Sequence, residues 1–222
     1  MLNREPGNDA AVPIPTSSMI VRDAYRFLVP LAILAFAAFA LKLTWIGLLL
    51  SGMFAFVAFF FRNPTRDIPA DPRAIVSPAD GKVVRLERVG NVTKMSIFLS
   101  LFNVHVNRSP IAGRVEAVDY RPGKFLVAFN EKASSDNERN IVMVSDGRIT
   151  IVFTQIAGIV ARRIVFWKKV GDSVEKGELV GLIRFGSRVD VLFPAGTEAT
   201  VAVGDRVKGG STRIGTIKET NV

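Results

Sequence analysis

The pair Gly186-Ser187 lies between two alternating apolar runs, within Leu182-Ile183-Arg184-Phe185-Gly186-Ser187-Arg188-Val189-Asp190-Val191. The pattern predicts a strand, a tight kink and a second strand. A glycine inside a strand pattern marks a bulge or a close backbone approach. Here the next residue carries a hydroxyl. If the kink is strained, the Ser187 hydroxyl can attack the Gly186 carbonyl in an N-to-O acyl shift, which replaces the peptide bond by an ester. β-Elimination then cuts the chain and leaves dehydroalanine, which hydrolyses to an N-terminal pyruvoyl group. Such a ketone can form a Schiff base with an amine and act as an electron sink. The same dipeptide also fits a simple turn at a barrel corner.

This chemistry needs proton transfers. His105 is the single histidine of the chain, and an imidazole with an unperturbed pKa near 6.5 suits them. On an alternating Val104-His105-Val106 run it also fits a structural or exposed position. The chain has no cysteine, so a disulfide framework, a thiolate nucleophile and a zinc–thiolate site are excluded. One histidine rules out a multi-histidine metal site, and no metal is expected.

Several elements must hold these residues. The 222 residues suit one compact domain with an appendage, and Lys+Arg 29 against Asp+Glu 20 gives a net charge of +9. That excess points to an anionic partner, and the apolar N-terminal third favours a membrane surface over nucleic acid. Residues 1–21 read as a loose polar tail. Tyr25–Leu41 and Leu43–Phe61 are apolar runs split by Lys42. The second meets the length of a spanning helix, and the first is marginal and carries Pro30. Arg22 and Arg26 flank the start and Arg62 and Arg66 the end, so 22–62 reads as a membrane-associated helical hairpin with both ends cytoplasmic. From residue 63 onward short strand-like runs alternate with turns: Gly81–Val89, Met95–Leu101, Gly113–Tyr120, Ile141–Val144, Ile149–Ile156 and Arg163–Phe166. The expected class is mainly β (α+β), a β-rich barrel or sandwich hybrid. Val170-Gly171-Asp172-Ser173-Val174-Glu175-Lys176-Gly177 is echoed by Val203-Gly204-Asp205-Arg206-Val207-Lys208-Gly209-Gly210. The echo resembles the hammerhead of biotinyl and lipoyl carriers. Neither copy presents a lysine in a carrier context, so it reads as architecture.

Three separated motifs occur in order: Ser77-Pro78-Ala79-Asp80-Gly81, Asn103-Val104-His105-Val106-Asn107-Arg108-Ser109-Pro110 and Phe185-Gly186-Ser187-Arg188-Val189-Asp190. Together they resemble the short bacterial and archaeal branch of the phosphatidylserine decarboxylases, from about Arg62 to about Gly215. The resemblance implies cleavage at Gly186-Ser187 into a β chain, 1–186, and an α chain, 187–222, that stay together as a heterodimer, with further oligomerisation open. It implies a pyruvoyl cofactor made from Ser187, catalytic roles for Ser187, His105 and Asp80, and conversion of phosphatidylserine to phosphatidylethanolamine at the cytoplasmic side of the cell (inner) membrane. Asp80 would orient or charge-stabilise a histidine. Longer bacterial members carry two histidines three residues apart, and Arg108 occupies the second position here. The division of labour between the two proton transfers therefore stays open. Arg188 stands where many members have Ser or Thr and could contact the substrate or an oxyanion. Asn137 and Glu138 lie in a polar stretch that reads as a surface loop, and the family's similar Asn-Glu-Arg segment near the site implies that they could shape the substrate pocket or an oligomer contact. Two alternatives remain: a decarboxylase for archaetidylserine or another serine lipid, or a membrane-tethered biotinyl/lipoyl-like binding module.

Overall fold

The computed structural model describes residues 12–13, 19–123, 137–158, 163–184 and 187–218. Strand β1 is Val12–Pro13. A 3-10 turn, Arg22–Ala24, leads into helix α1, Tyr25–Ala40, and α2 is Thr44–Phe60. Then come β2 (Asp67–Ile68), β3 (Ala74–Val76), β4 (Gly81–Val89), β5 (Val92–Leu99), β6 (Val106–Arg108) and β7 (Gly113–Arg121). After these follow β8 (Arg139–Ser145), β9 (Thr150–Ala157), β10 (Ile164–Phe166), β11 (Ser173–Val174) and β12 (Leu179–Ile183). The chain closes with β13 (Ser187–Phe193), β14 (Thr197–Ala199), β15 (Arg206–Val207) and β16 (Arg213–Ile217).

The expected β-rich class holds. Among the described residues the largest sheet is a curled, eight-stranded antiparallel one, ordered β11-β7-β8-β9-β13-β5-β4-β15. Two three-stranded sheets, β10-β12-β6 and β14-β16-β3, flank it. The main core lies on one face of the large sheet, where Val83, Met95, Ile97, Val115, Phe153, Val189 and Val191 are fully buried. These residues alternate along their strands, as period-two patterning requires.

The sheet orders reveal a duplication that goes beyond the echo in the sequence. Strands β6, β7, β8, β9, β10, β11 and β12 occupy positions equivalent to β3, β4, β5, β13, β14, β15 and β16. The echoing turns make matching bonds. Gly171 N donates to Val115 O and Gly204 N to Val83 O, each at 2.8 Å. Asp172 and Asp205 accept the amides of Lys169 and Ala202, also at 2.8 Å. The loops Ser77-Pro78-Ala79-Asp80-Gly81 and Ser109-Pro110-Ile111-Ala112-Gly113 match too, each with its serine hydroxyl donating to the carbonyl two residues on. In one copy, β8 joins β9 by the tight turn Asp146–Ile149. In the other, the join between β5 and β13 is opened, and the whole first copy is inserted there. Ser187 begins the strand at the return point.

The two strands expected around Ser187 are present, and the structure adds that the chain changes sheet between them. β12 pairs with β10 and β6, whereas β13 pairs with β9 and β5. Strands β3 and β6 are buried at every residue, so they show no alternation for a pattern search to find.

The helical hairpin turns at Lys42, whose φ is +58°. The segment Arg22–Ala40, 19 residues, is long and apolar enough to cross a membrane, whereas α2 has 17 residues. This reverses the expected ranking of the two runs, because the 3-10 turn extends the first and Pro30 is accommodated within it. At its base the hairpin packs Leu28, Phe60 and Phe61 against Val104, Val106 and Leu182 of the β body. Away from the base, Phe36 and Trp45 are exposed.

If the two Gly-Asp turns are equivalent, Asp172→Ala and Asp205→Ala will each cost about 1 kcal/mol, the usual worth of one net hydrogen bond. Urea unfolding of both variants in an uncut Ser187→Ala background checks this, and clearly unequal losses would refute the equivalence.

Candidate active site

Ser187 is fully buried at the first position of β13. It is paired on one side with Leu99 and on the other with Ala157. Strand alternation puts its side chain on the core face with Val189 and Val191. Its Oγ has no hydrogen-bond partner among the described residues. Leaving a buried hydroxyl unsatisfied costs about 1–3 kcal/mol, so the position is poor as architecture.

His105 sits just before β6 and is 1% exposed. Its Nδ1 lies 2.9 Å from the Asn103 carbonyl. A carbonyl only accepts, so Nδ1 carries the proton and Nε2 carries the lone pair. Nε2 is buried and, like Ser187 Oγ, has no hydrogen-bond partner among the described residues. Phe60, the last residue of α2, packs on the imidazole with ring centroids 4.2 Å apart. Burial lowers the imidazole pKa from 6.5 to about 4, with Arg62 adding to the fall and the Asn103 carbonyl opposing it. His105 is therefore neutral at pH 7, with a free base atom.

Both flanks of the Gly186-Ser187 bond are held by one short segment. Upstream, Ile183 N donates to His105 O at 3.2 Å. Downstream, Ser187 pairs with Leu99. The chain from Leu99 to His105 therefore bridges the two ends of the crossing between sheets. Gly186 itself, with Phe185, lies outside the described residues.

Asp80 has a different partner from the one expected. Both carboxylate oxygens accept from Arg66 Nη2, at 2.8 and 2.9 Å, and Oδ1 also accepts Gly209 N at 2.8 Å. The group that orients His105 in this structure is the Asn103 carbonyl. Arg108, in the position of the second family histidine, is buried and structural. It donates to Gly177 O at 2.8 Å and to Asn63 Oδ1 at 2.7 Å. Burial and the neighbouring Arg66 lower its pKa to about 10. The loop of Asp80 meets this strand through Pro78 O, which accepts Arg108 N at 2.9 Å.

Asn137 and Glu138 are buried and support the strand next to Ser187. Asn137 Nδ2 donates to Ala157 O at 2.7 Å, Ala157 N donates to Glu138 O at 3.0 Å, and Ala157 is Ser187's partner. Arg188 alternates to the opposite sheet face from Ser187. There it ion-pairs with Asp190 at 2.9 Å, and Lys94 reaches the same carboxylate at 3.3 Å.

Further residues were given no role by the sequence reading. Gln155 and Asn107 form a buried chain beside the site, in which Gln155 Nε2 donates to Asn107 Oδ1 at 2.9 Å and Asn140 Nδ2 donates to Gln155 Oε1 at 3.0 Å. Gly181 gives this chain room, since a Cβ there would lie 2.3 Å from Val165 O and 3.2 Å from Gln155 Nε2. A glutamine at an apolar-phase position of a strand was the available signal. Asp23, at the hairpin base, accepts Trp167 Nε1 at 3.1 Å and lies 3.8 Å from Arg184, three residues before Ser187. Nothing local marks it.

Fold and site together define a β protein with a helical hairpin packed on its body, and a buried Ser187 Oγ and His105 Nε2, neither hydrogen-bonded among the described residues, near the point where the chain changes sheet. Comparison with known proteins gives this class a family. The profile described as Phosphatidylserine decarboxylase matches residues 53–215. A phosphatidylserine decarboxylase proenzyme of Solibacter usitatus is 56% identical over 159 residues, covering 72% of this chain and 78% of that one. Proenzymes of the same description from Carboxydothermus hydrogenoformans and Syntrophus aciditrophicus are 47% and 44% identical over 208 and 209 residues. Each alignment covers 90% of this chain, and 97% and 98% of those proteins, respectively. The chain belongs to the phosphatidylserine decarboxylase family.

Because the folded His105 pKa lies below its unfolded value, the unfolded chain binds the proton more tightly. The stabilisation from keeping this ring neutral is intact above pH 6.5 and is lost as pH falls from there towards about 4. In proton NMR the lone imidazole is expected to titrate near pH 4. A midpoint near 6.5 would show that the ring is not buried as described.

Removing Asp80 would leave the Arg66 guanidinium buried without its carboxylate, and breaking such a pair costs about 3–5 kcal/mol. Asp80→Ala should therefore lower the thermal unfolding midpoint strongly. Asp80→Ala in an Arg66→Met background should lose much less.

Proposed function

We propose that the chain is a proenzyme that cuts itself between Gly186 and Ser187 and then decarboxylates phosphatidylserine to phosphatidylethanolamine. The observation that carries the reading is the burial of Ser187 Oγ and His105 Nε2 without hydrogen-bond partners among the described residues, with the Leu99–His105 segment paired to Ser187 at one end and to Ile183 at the other. The β chain would be 1–186 and the α chain 187–222. Once formed from Ser187, the pyruvoyl group supplies a ketone that takes up the substrate amine and draws in electrons as CO2 leaves.

The remaining work falls to the chain's own residues. His105 Nε2 is neutral at pH 7 and is the base that takes the Ser187 hydroxyl proton. A histidine with a pKa near 4 holds almost no acid form at neutral pH. It becomes a donor only after accepting a proton, and the substrate's ammonium must shed one before it can react. His105 then returns a proton to the carbon that CO2 has left. One histidine can serve both steps, which fits the replacement of the second family histidine by Arg108. Asn103 holds the tautomer, and Phe60 keeps water off the ring. Asn137 and Glu138 hold the neighbouring strand in register. Asp80 acts by fixing Arg66 and the loop that leads to Arg108. Arg188 is given no substrate contact, since it stands on the opposite face.

The hairpin supports membrane association, and the basic excess favours an anionic lipid surface. The Arg residues at its two ends support a cytoplasmic catalytic body at the cell membrane. No observation favours the carrier reading, because both Gly-Asp turns are stitched into the sheet. Archaetidylserine and other serine lipids share the reacting group, and a headgroup panel ranks them.

Intact mass separates the outcomes. The wild-type protein should yield two chains, the smaller beginning with a blocked residue 187, and Ser187→Ala should stay whole. An active wild-type protein with an unmodified Ser187 would sink the proposal. His105→Ala, made competent by supplying the cut chains, should decarboxylate about 10²- to 10⁴-fold more slowly, the usual worth of general acid–base catalysis. An unchanged rate would remove His105 from the chemistry.

A further inference from the structure

The turn that carries the chain from β5 towards His105 has an unusual tip. Ser100 and Asn103 close it. Asn103 Oδ1 accepts both the Ser100 amide and the Ser100 hydroxyl at 2.8 Å, and Asn103 N donates to Ser100 O at 3.0 Å. This bracing holds the two residues between them outward, and they are Leu101 and Phe102. Phe102 is 73% exposed and Leu101 38%. The two hairpin tips of the same sheet are polar, Gly90-Asn91 joining β4 to β5 and Asp146-Gly147-Arg148 joining β8 to β9, and the Gly-Asp turns expose only a valine each, Val170 and Val203. A braced turn that holds a phenylalanine in water forgoes burial, and no apolar contact among the described residues offsets it.

The position of the turn says what covers it. Arg62, two residues beyond α2, donates to Phe102 O at 2.7 Å and to Phe59 O at 2.8 Å. Its guanidinium also lies 3.8 Å from the Phe59 ring centre. The tip is thus tied to the end of the hairpin, and its apolar side chains continue the exposed apolar surface of the helices. Arg22 and Arg26, both exposed, lie at the start of the hairpin, and Ile20 just before them bridges to Arg62 at its end. A belt of arginines beside aromatic side chains is the pattern of a headgroup plane.

We propose that the Ser100–Asn103 turn is a second membrane-contact element, in which Phe102, with Leu101 beside it, enters the interfacial region of a phospholipid bilayer next to the hairpin. The proposal rests on the reading of the hairpin as membrane-associated. It also carries a consequence for the site. Leu99, before the turn, pairs with Ser187, and His105, after it, pairs with Ile183. Seating the tip in lipid therefore places the bilayer surface within a few residues of both reacting groups, and brings a lipid headgroup to them without extraction.

The chain has no cysteine, so single labels are unambiguous. Phe102→Cys, Trp45→Cys at the hairpin tip and Asn91→Cys at a polar turn would each carry an environment-sensitive fluorophore. The full-length proteins would be reconstituted in phosphatidylcholine–phosphatidylglycerol vesicles with and without a quencher-bearing lipid. The labels at 102 and 45 should shift to the blue and be quenched at least about twofold, while the label at 91 should stay water-like. Quenching at 45 with a water-like label at 102 would overturn the proposal and leave the hairpin reading standing. Water-like labels at both 45 and 102 would overturn the two together. Leu101→Cys provides a second position on the same tip, expected to be quenched less than 102, and circular dichroism verifies that each variant is folded.

Discussion

The structure depends on strand β13 being paired on both sides. Ser187 through Phe193 are in register with β5, and Ser187 through Leu192 with β9. A strand held this way cannot shift by one residue without turning Val189 and Val191 out of the core. It therefore fixes the position of its first residue, Ser187, to within the tolerance of the sheet. The same pairing lets the chain be cut just before Ser187 without the strand leaving, because its hydrogen bonds run to β5 and β9 and not to the segment upstream. The duplication sets the join before Ser187 apart from its counterpart. One copy closes the equivalent join with a tight turn, and the other must accommodate an entire inserted unit between strands that remain neighbours.

The helical hairpin and the reactive centre are one packing unit. Phe60 ends α2 against the His105 ring, and Asp23 at the start of the first helix meets Trp167 and Arg184 on the approach to Ser187. Burial under Phe60 makes His105 neutral, and hydrogen bonding to Asn103 decides which ring nitrogen is the base. The protonation state of the site is thus set in part by the helical hairpin. Charges nearby are arranged around a different centre. Asp80 binds Arg66, and both Arg62 and Arg108 feel the same carboxylate. That cluster anchors the chain where it leaves the hairpin and holds the two Ser-Pro loops together.

Much of this was legible in the residues. A Gly-Ser pair between apolar runs fitted a self-reacting serine or a simple turn, and the three motifs in order, by their family resemblance, favoured the first, while a lone histidine and no cysteine excluded thiolate and multi-histidine metal chemistry. Two apolar runs flanked by arginines specify a hairpin, because local hydrophobicity and length are sequence properties. Alternation located β4, β7 and β9 to within a residue or two. The two Gly-Asp turns were visible as an echo, since a turn's requirements lie within a few adjacent residues.

Tertiary structure decided whatever depends on distant partners. Asp80 meets Gly209 across 129 positions, and Arg108 meets Asn63 across 45. No local pattern encodes such pairings, so a carboxylate expected to serve the histidine proved to serve an arginine. Strands β3 and β6 are buried throughout and carry no period to detect. The change of sheet before Ser187 and the support that Asn137 and Glu138 give to Ala157 arise only once separate strands are brought side by side. The residue types at this site were set by the sequence, because chemistry belongs to side chains. Their partners, protonation and facing were set by the fold, because those are properties of neighbours in space.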